Sequence, residues 1–134
     1  MLHSGSCLCG KVKFEIEGDF EQFFLCHCEW CRKDTGSAHA ANLFANNARI
    51  KWLSGQSNIT SYNHRAEGHI KSFCATCGSA LPRQEANGTR LVVPAGCLDT
   101  PVEIKPLAHI YFSHRANWDN GFANAAKYDE LPGE

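Results

Sequence analysis

The chain has 134 residues, with 43% apolar and 20% charged, enough apolar material for one hydrophobic core and too much for a disordered chain. Thirteen Lys and Arg against fourteen Asp and Glu, a formal net charge of −1, leave no basic excess, so neither nucleic acid nor an acidic membrane surface is an expected partner. No apolar run approaches the length of a membrane span.

One domain over residues 1–134 is expected. The N-terminal MLHSGSCLCG lacks the charged-then-apolar order of a secretory signal, so a cytoplasmic location is expected. In that compartment eight cysteines read as metal ligands or catalytic groups rather than disulfides.

In KVKFEIEG (Lys11–Gly18), Val12, Phe14 and Ile16 alternate with Lys11, Lys13, Glu15 and Glu17, the pattern of a half-buried strand. Further strands are predicted over QFFLC, AHAANLFA, RIKWLSG, NITSYN, HIKSFC, TRLVVPAG and PLAHIYFS. All are short and punctuated by Gly, Asn, Pro or Ser. A helix is predicted only after Trp118, over NAAKYDEL, and a turn after Cys31, in RKDTGS. Many short strands with little helix give a mainly β, mostly antiparallel fold of folded sheets or a sandwich.

The cysteines fall at strand ends and turns in three clusters: Cys7-x-Cys9, Cys26-x-Cys28-x-x-Cys31 and Cys74-x-x-Cys77, with Cys97 alone. Pairs one or two residues apart can aim two sulfurs at one ion, each about 2.3 Å from zinc. Gly10 and Gly78 follow the two pairs and allow a positive φ where the chain turns around a metal. A redox C-x-x-C needs a βαβ context that this pattern lacks.

Seven clustered thiols divide naturally as four plus three. Cys7, Cys9, Cys74 and Cys77 then close a tetrahedral structural site, although spacing alone leaves other pairings open. The triplet Cys26, Cys28 and Cys31 becomes a three-thiolate site with one exchangeable position, the usual pattern of a catalytic zinc. Such an electron-rich set favours a soft thiol over water as incoming ligand, and a coordinated thiol is deprotonated at neutral pH. The competing reading is a second structural site completed by Cys97 or a histidine. Cys97 itself reads as a small buried residue. His27 alternates with the ligand cysteines and should point away from the metal. His39, His64, His69, His109 and His114 lack ligand spacing and receive no role.

The motifs G-x-C-x-C-G, C-H-C-x-x-C-R-K-x-x-G and F-C-x-x-C-G-S, in that order, resemble the glutathione-dependent formaldehyde-activating enzyme family, also called the centromere protein V-like family. AGCLD (Ala95–Asp99) and the late aromatic stretch ending at Trp118 extend the likeness. The resemblance implies an Mss4-like β fold stapled by zinc, with about two ions per chain. It implies a structural zinc on Cys7, Cys9, Cys74 and Cys77, and a second zinc on Cys26, Cys28 and Cys31 at the active site. It also implies a carbon–sulfur lyase that, in reverse, joins glutathione to formaldehyde as S-hydroxymethylglutathione. Glutathione carries two carboxylates, so Arg32 and Lys33, directly after the triplet, are candidates to meet them. Arg83 lies just past the second hairpin, and for all three a solvated surface charge is the commoner use. Two rival functions are a non-catalytic zinc-stabilised binding module and a hydrolase of imines or similar small electrophiles. Sequence does not specify an oligomeric state.

Overall fold

The computed structural model describes residues 1–65, 68–85 and 88–133. It is mainly β, as the pattern of short strands predicts. Three sheets share one core. The first contains β1 (Leu2–Ser6), β2 (Lys13–Glu17) and β5 (Arg49–Ser54), in that spatial order and antiparallel. The second is built from β3 (Gln22–Cys26), β4 (Ala40–Ala45), β9 (Arg83–Gln84), β10 (Leu91–Pro94) and β11 (Ala108–Ile110). Its spatial order is β11-β3-β4-β10-β9. The third holds β6 (Ile59–His64), β7 (His69–Cys74) and β8 (Ala80–Leu81) in sequence order.

The alternation read in KVKFEIEG is realised. Val12, Phe14 and Ile16 are buried while Lys13 and Glu17 are exposed. They meet Leu43, Ala45, Leu81, Leu91 and Val93 from the other sheets, and Cys7 and Cys74 lie in the same cluster. Burying this apolar surface is the main favourable term of folding, at roughly 25 cal/mol per Å². Two of the cysteines therefore sit at the centre of the molecule rather than on its rim.

Several elements depart from expectation. β1 was not predicted, because its buried positions are His3 and Gly5, which carry no apolar signal. Gly5 faces Phe14 across the β1–β2 pair. A Cβ there would lie 2.2 Å from Phe14 Cζ and 2.7 Å from the Cys97 carbonyl oxygen, so the aromatic ring occupies the space that a side chain would need.

The turn expected after Cys31 belongs to a helix, α1 (Glu29–Thr35). Its cap is the Cys28 sulfur, which accepts from the Cys31 N–H at 3.3 Å. A thiol is absent from the usual list of capping side chains, which is why the start signal was missed. Gly36, at φ 65°, ends the helix, its N–H donating to the Arg32 carbonyl at 2.8 Å.

The helix predicted over NAAKYDEL does not form. A 3₁₀ segment spans Asn117–Asn124 instead, and residues 125–133 are exposed without regular structure. They have no apolar face to bury, and isolated short helices are marginal in water. The strand in PLAHIYFS shortens to β11 and pairs parallel with β3, an exception to the antiparallel pattern. Tyr111 follows at φ 52° and turns the chain away. No helix is long and apolar enough to cross a membrane among the described residues.

Gly5→Ala should lower stability by about 1–3 kcal/mol through overpacking against Phe14 and a backbone carbonyl. A urea unfolding curve checks this, with a reduced midpoint expected at an unchanged slope.

Candidate metal centre and its surroundings

Two tight turns present the first four sulfurs. In one, the Gly10 N–H donates to the Cys7 carbonyl at 3.1 Å, and in the other Gly78 donates to Cys74 at 2.7 Å. Gly10 and Gly78 adopt φ of 82° and 78°, the left-handed geometry expected for these knuckles. The Val12 N–H points at Cys7 Sγ at 3.3 Å, and Asn58 Nδ2 donates to Cys74 Sγ at 3.3 Å. Ser79 Oγ lies 3.3 Å from Cys77 Sγ. Hydrogen bonds from the Ser79 hydroxyl and backbone hold the Cys77 thiol down to about 5, which favours the thiolate that a metal needs.

The sulfurs of Cys7, Cys9, Cys74 and Cys77 all lie within 4.8 Å of one another. Cys7 and Cys9 are 3.6 Å apart, and Cys9 and Cys74 3.8 Å. A tetrahedron of sulfurs each ~2.3 Å from zinc has edges of about 3.8 Å. None of the eight cysteines is disulfide-bonded, so these spacings are those of a metal-sized cage rather than of covalent bonds.

The triplet forms a second group, Cys26, Cys28 and Cys31, with sulfurs again within 4.8 Å. β3 delivers Cys26, Cys28 caps α1, and Cys31 sits in its first turn. Ala40 and Ile110 pack against them. A hydrogen bond from Cys31 pulls the Cys26 thiol down to about 6, while the same contact pushes Cys31 up. Two thiolates within 4.8 Å of each other repel by at least about 3 kcal/mol at an effective dielectric of ~20. Three together therefore fit a cation, which removes that repulsion. Among the described residues no His, Asp, Glu or further Cys joins either group. Cys97 lies instead in a 3₁₀ turn against the main core, its thiol pushed up to about 12 by burial.

α1 is docked at its far end by a polar cluster. Asp34 pairs with Lys71 Nζ at 3.0 Å and with His69 Nε2, and Lys71 also donates to the Asp34 carbonyl at 2.6 Å. This ties the triplet's helix to β7. A cavity of about 50 Å³ opens between them, with Thr35, Ala40, Lys71 and Arg83 in its wall. Arg32 is half-buried on α1 with its Nε lacking a partner, and Lys33 is exposed. Neither belongs to the cavity wall, where Arg83 and Lys71 supply the cations.

Three of the histidines given no role, His27, His39 and His109, are gathered. His27, 1% exposed, accepts or donates through Nε2 to His109 Nδ1 at 2.8 Å. Its Nδ1 lies 2.9 Å from Asp119 Oδ2, outside hydrogen-bonding geometry. His39 packs at 5.1 Å between ring centroids, and Phe112 meets His27 edge-on at 5.1 Å. Burial pushes the His39 imidazole toward its neutral form. The ring of His27 takes no place in the triplet group, as alternation along the strand requires. Its partners come from β11 and the 3₁₀ segment, whose long-range placement no local pattern encodes.

The profile of the glutathione-dependent formaldehyde-activating enzyme family matches residues 2–114. The chain belongs to that family. A relative from Halomonas elongata, named "Putative glutathione-dependent formaldehyde-activating enzyme", is 28% identical over 125 residues, covering 88% of this chain and 80% of its own. A crystal structure of a Rhodobacter sphaeroides protein superposes with a TM-score of 0.58 at 25% identity, covering 79% of this chain and 98% of that one. Both cysteine groups of this member of the formaldehyde-activating family lie inside the matched residues, and the 3₁₀ segment bearing Asp119 lies outside them.

The Asp34 cluster gives a pH signature. Burial works to raise the Asp34 carboxyl, but hydrogen bonds from His69 and Lys71 outweigh it and hold it below its ordinary 3.8. The folded chain thus binds this proton less readily than the unfolded chain. The stabilisation is complete above 3.8 and is lost as pH falls through the lower folded value. Wild type should therefore lose stability more steeply than Asp34→Asn below about pH 4, measured as urea midpoints. Thiol protonation is common to both proteins and cancels in the difference.

Proposed function

We propose that this chain joins a glutathione-like thiol to formaldehyde at the triplet, a carbon–sulfur lyase reaction run in the direction of addition. The observation that carries this reading is the group of three sulfurs, Cys26, Cys28 and Cys31, to which no other described residue adds a ligand. The family match and the printed name of the Halomonas relative support the choice of glutathione and formaldehyde.

In the reaction the thiol loses its proton, its sulfur bonds to the aldehyde carbon, and the carbonyl oxygen takes up a proton to become the hydroxyl of S-hydroxymethylglutathione. A zinc ion held by Cys26, Cys28 and Cys31 supplies a soft Lewis acid that favours the thiolate form of a nearby thiol. Cys7, Cys9, Cys74 and Cys77 would hold a second, structural zinc, about two ions per chain in all. The chain's own contribution is placement. β3 and α1 fix the three sulfurs, Ala40 and Ile110 pack against them, and Arg83 lends positive charge nearby. The same packing favours a second reading, a zinc-stabilised module in which the triplet only fixes the start of α1.

Metal analysis of the purified protein should give about two zinc ions per chain. Cys28→Ser should fall to about one and keep the fold, whereas Cys74→Ser should unfold or precipitate, because structural zinc contributes folding energy outright. Equal damage from both substitutions supports the module reading. Exchange spectroscopy with ¹³C-formaldehyde and glutathione tests the reaction itself. Wild type should speed interconversion of aldehyde and adduct, and Cys28→Ser should abolish the enhancement. No enhancement by the fully metallated wild type would sink the proposal.

A further inference from the structure

Arg83 is a cation whose charge no ion pair among the described residues explains. It lies on β9, half-buried, and burial disfavours its charged form while Asp34, Cys31 and Glu85 favour it. Yet among the described residues no carboxylate comes within 4.0 Å of its guanidinium, because the nearby acids are already engaged. Asp34 is held by Lys71 and His69, and Glu85 by Arg90. An arginine keeps its charge in a protein, so a half-buried guanidinium with no carboxylate beside it leaves a charge that an anion would complete.

The cavity beside it is the place for that anion. Its wall carries Asp34, Lys71 and Arg83, together with Asn42 and Ser72, which are both buried polar residues. Lys71 and Asp34 cancel, so the wall keeps one net positive charge, on Arg83. About 10–15 Å³ is enough for a single water, so about 50 Å³ admits a group of a few heavy atoms and no whole tripeptide. A planar carboxylate matches both that size and the fork of a guanidinium. The position matches too. Ala40 lines the cavity and also packs on Cys26 and Cys31, while Thr35, a second wall residue, bonds through its hydroxyl to the Cys31 carbonyl at 2.8 Å.

We propose that this cavity is a carboxylate subsite for the thiol substrate, in which Arg83 takes one carboxylate while the substrate sulfur meets the triplet. The proposal rests on the thiol reading above and adds the residue that makes the site prefer an acidic thiol over a neutral one. A neutral thiol would reach the same sulfurs without this anchor.

Calorimetric titration of the full-length, metal-loaded protein separates the two ends of the ligand. S-methylglutathione keeps the carboxylates and lacks a free thiol, whereas 2-mercaptoethanol has the thiol and no carboxylate. Arg83→Gln should weaken S-methylglutathione by roughly tenfold to a hundredfold, the range for hydrogen bonds to charged groups, and leave 2-mercaptoethanol unchanged. Arg83→Lys should recover part of the loss. Unchanged S-methylglutathione affinity in Arg83→Gln, equal weakening of both ligands, or no binding of S-methylglutathione to wild type would each overturn the subsite. Should the variants fail to fold, the Arg83 Nε–H resonance of wild type decides: it shifts with S-methylglutathione if the subsite exists and stays in place if it does not. Arg83-dependent binding without accelerated formaldehyde exchange leaves the subsite standing and removes the reaction. Accelerated exchange with an unaltered KM for glutathione in Arg83→Gln does the reverse.

Discussion

Cys9 and Cys74 are 65 residues apart in the chain and 3.8 Å apart at their sulfurs, and the rest of the molecule is arranged around that meeting. Closing a loop of this length costs on the order of 4 kcal/mol in chain entropy, with small further dependence on length. A zinc ion bound by four thiolates contributes on the order of 10 kcal/mol, more than that cost. Cys7 and Cys74 are also part of the central apolar cluster. The four-sulfur group and the hydrophobic core are therefore one structure, and the first and third sheets are joined through it. A change that frees these sulfurs empties the centre of the protein as well as a ligand set.

The triplet depends on that frame but packs in a small cluster of its own, with Ala40 and Ile110. Cys26 ends β3, and Cys28 and Cys31 begin α1, so two elements must keep their relative position for three sulfurs to converge. The first clamp is the capping contact of Cys28 itself. A second, at the other end of the helix, is Asp34 with Lys71 and His69. β7, which supplies those two residues, also ends in Cys74. The four-sulfur cage thus positions the helix of the three-sulfur group through a single strand.

Much of this was legible in the sequence where the signal was local. The strict alternation of Val12, Phe14 and Ile16 and the two glycines at positive φ follow from short-range rules, while the division of thiols into four and three was suggested by their count and spacing and completed by the family resemblance. Illegible parts were those set by distant partners. β1 has Gly5 where an apolar residue would announce a strand, because Phe14 fills the gap. α1 begins on a sulfur cap that no usual start signal covers. Arg83 looks like any surface charge in LPRQ, and only the third dimension shows it half-buried in a cavity wall with Asp34 and Lys71. Likewise the histidines, silent by spacing, are assembled by the parallel pairing of β11 with β3.

That histidine assembly has a consequence for how the protein can vary. The family match stops at residue 114, whereas Asp119, on the segment beyond it, touches His27, the residue seated between two triplet cysteines. That segment thereby packs against the chain just past the strand end that delivers Cys26. Substitutions there can retune the neighbourhood of the sulfurs while every cysteine motif stays intact, so that two members with identical motifs need not behave alike.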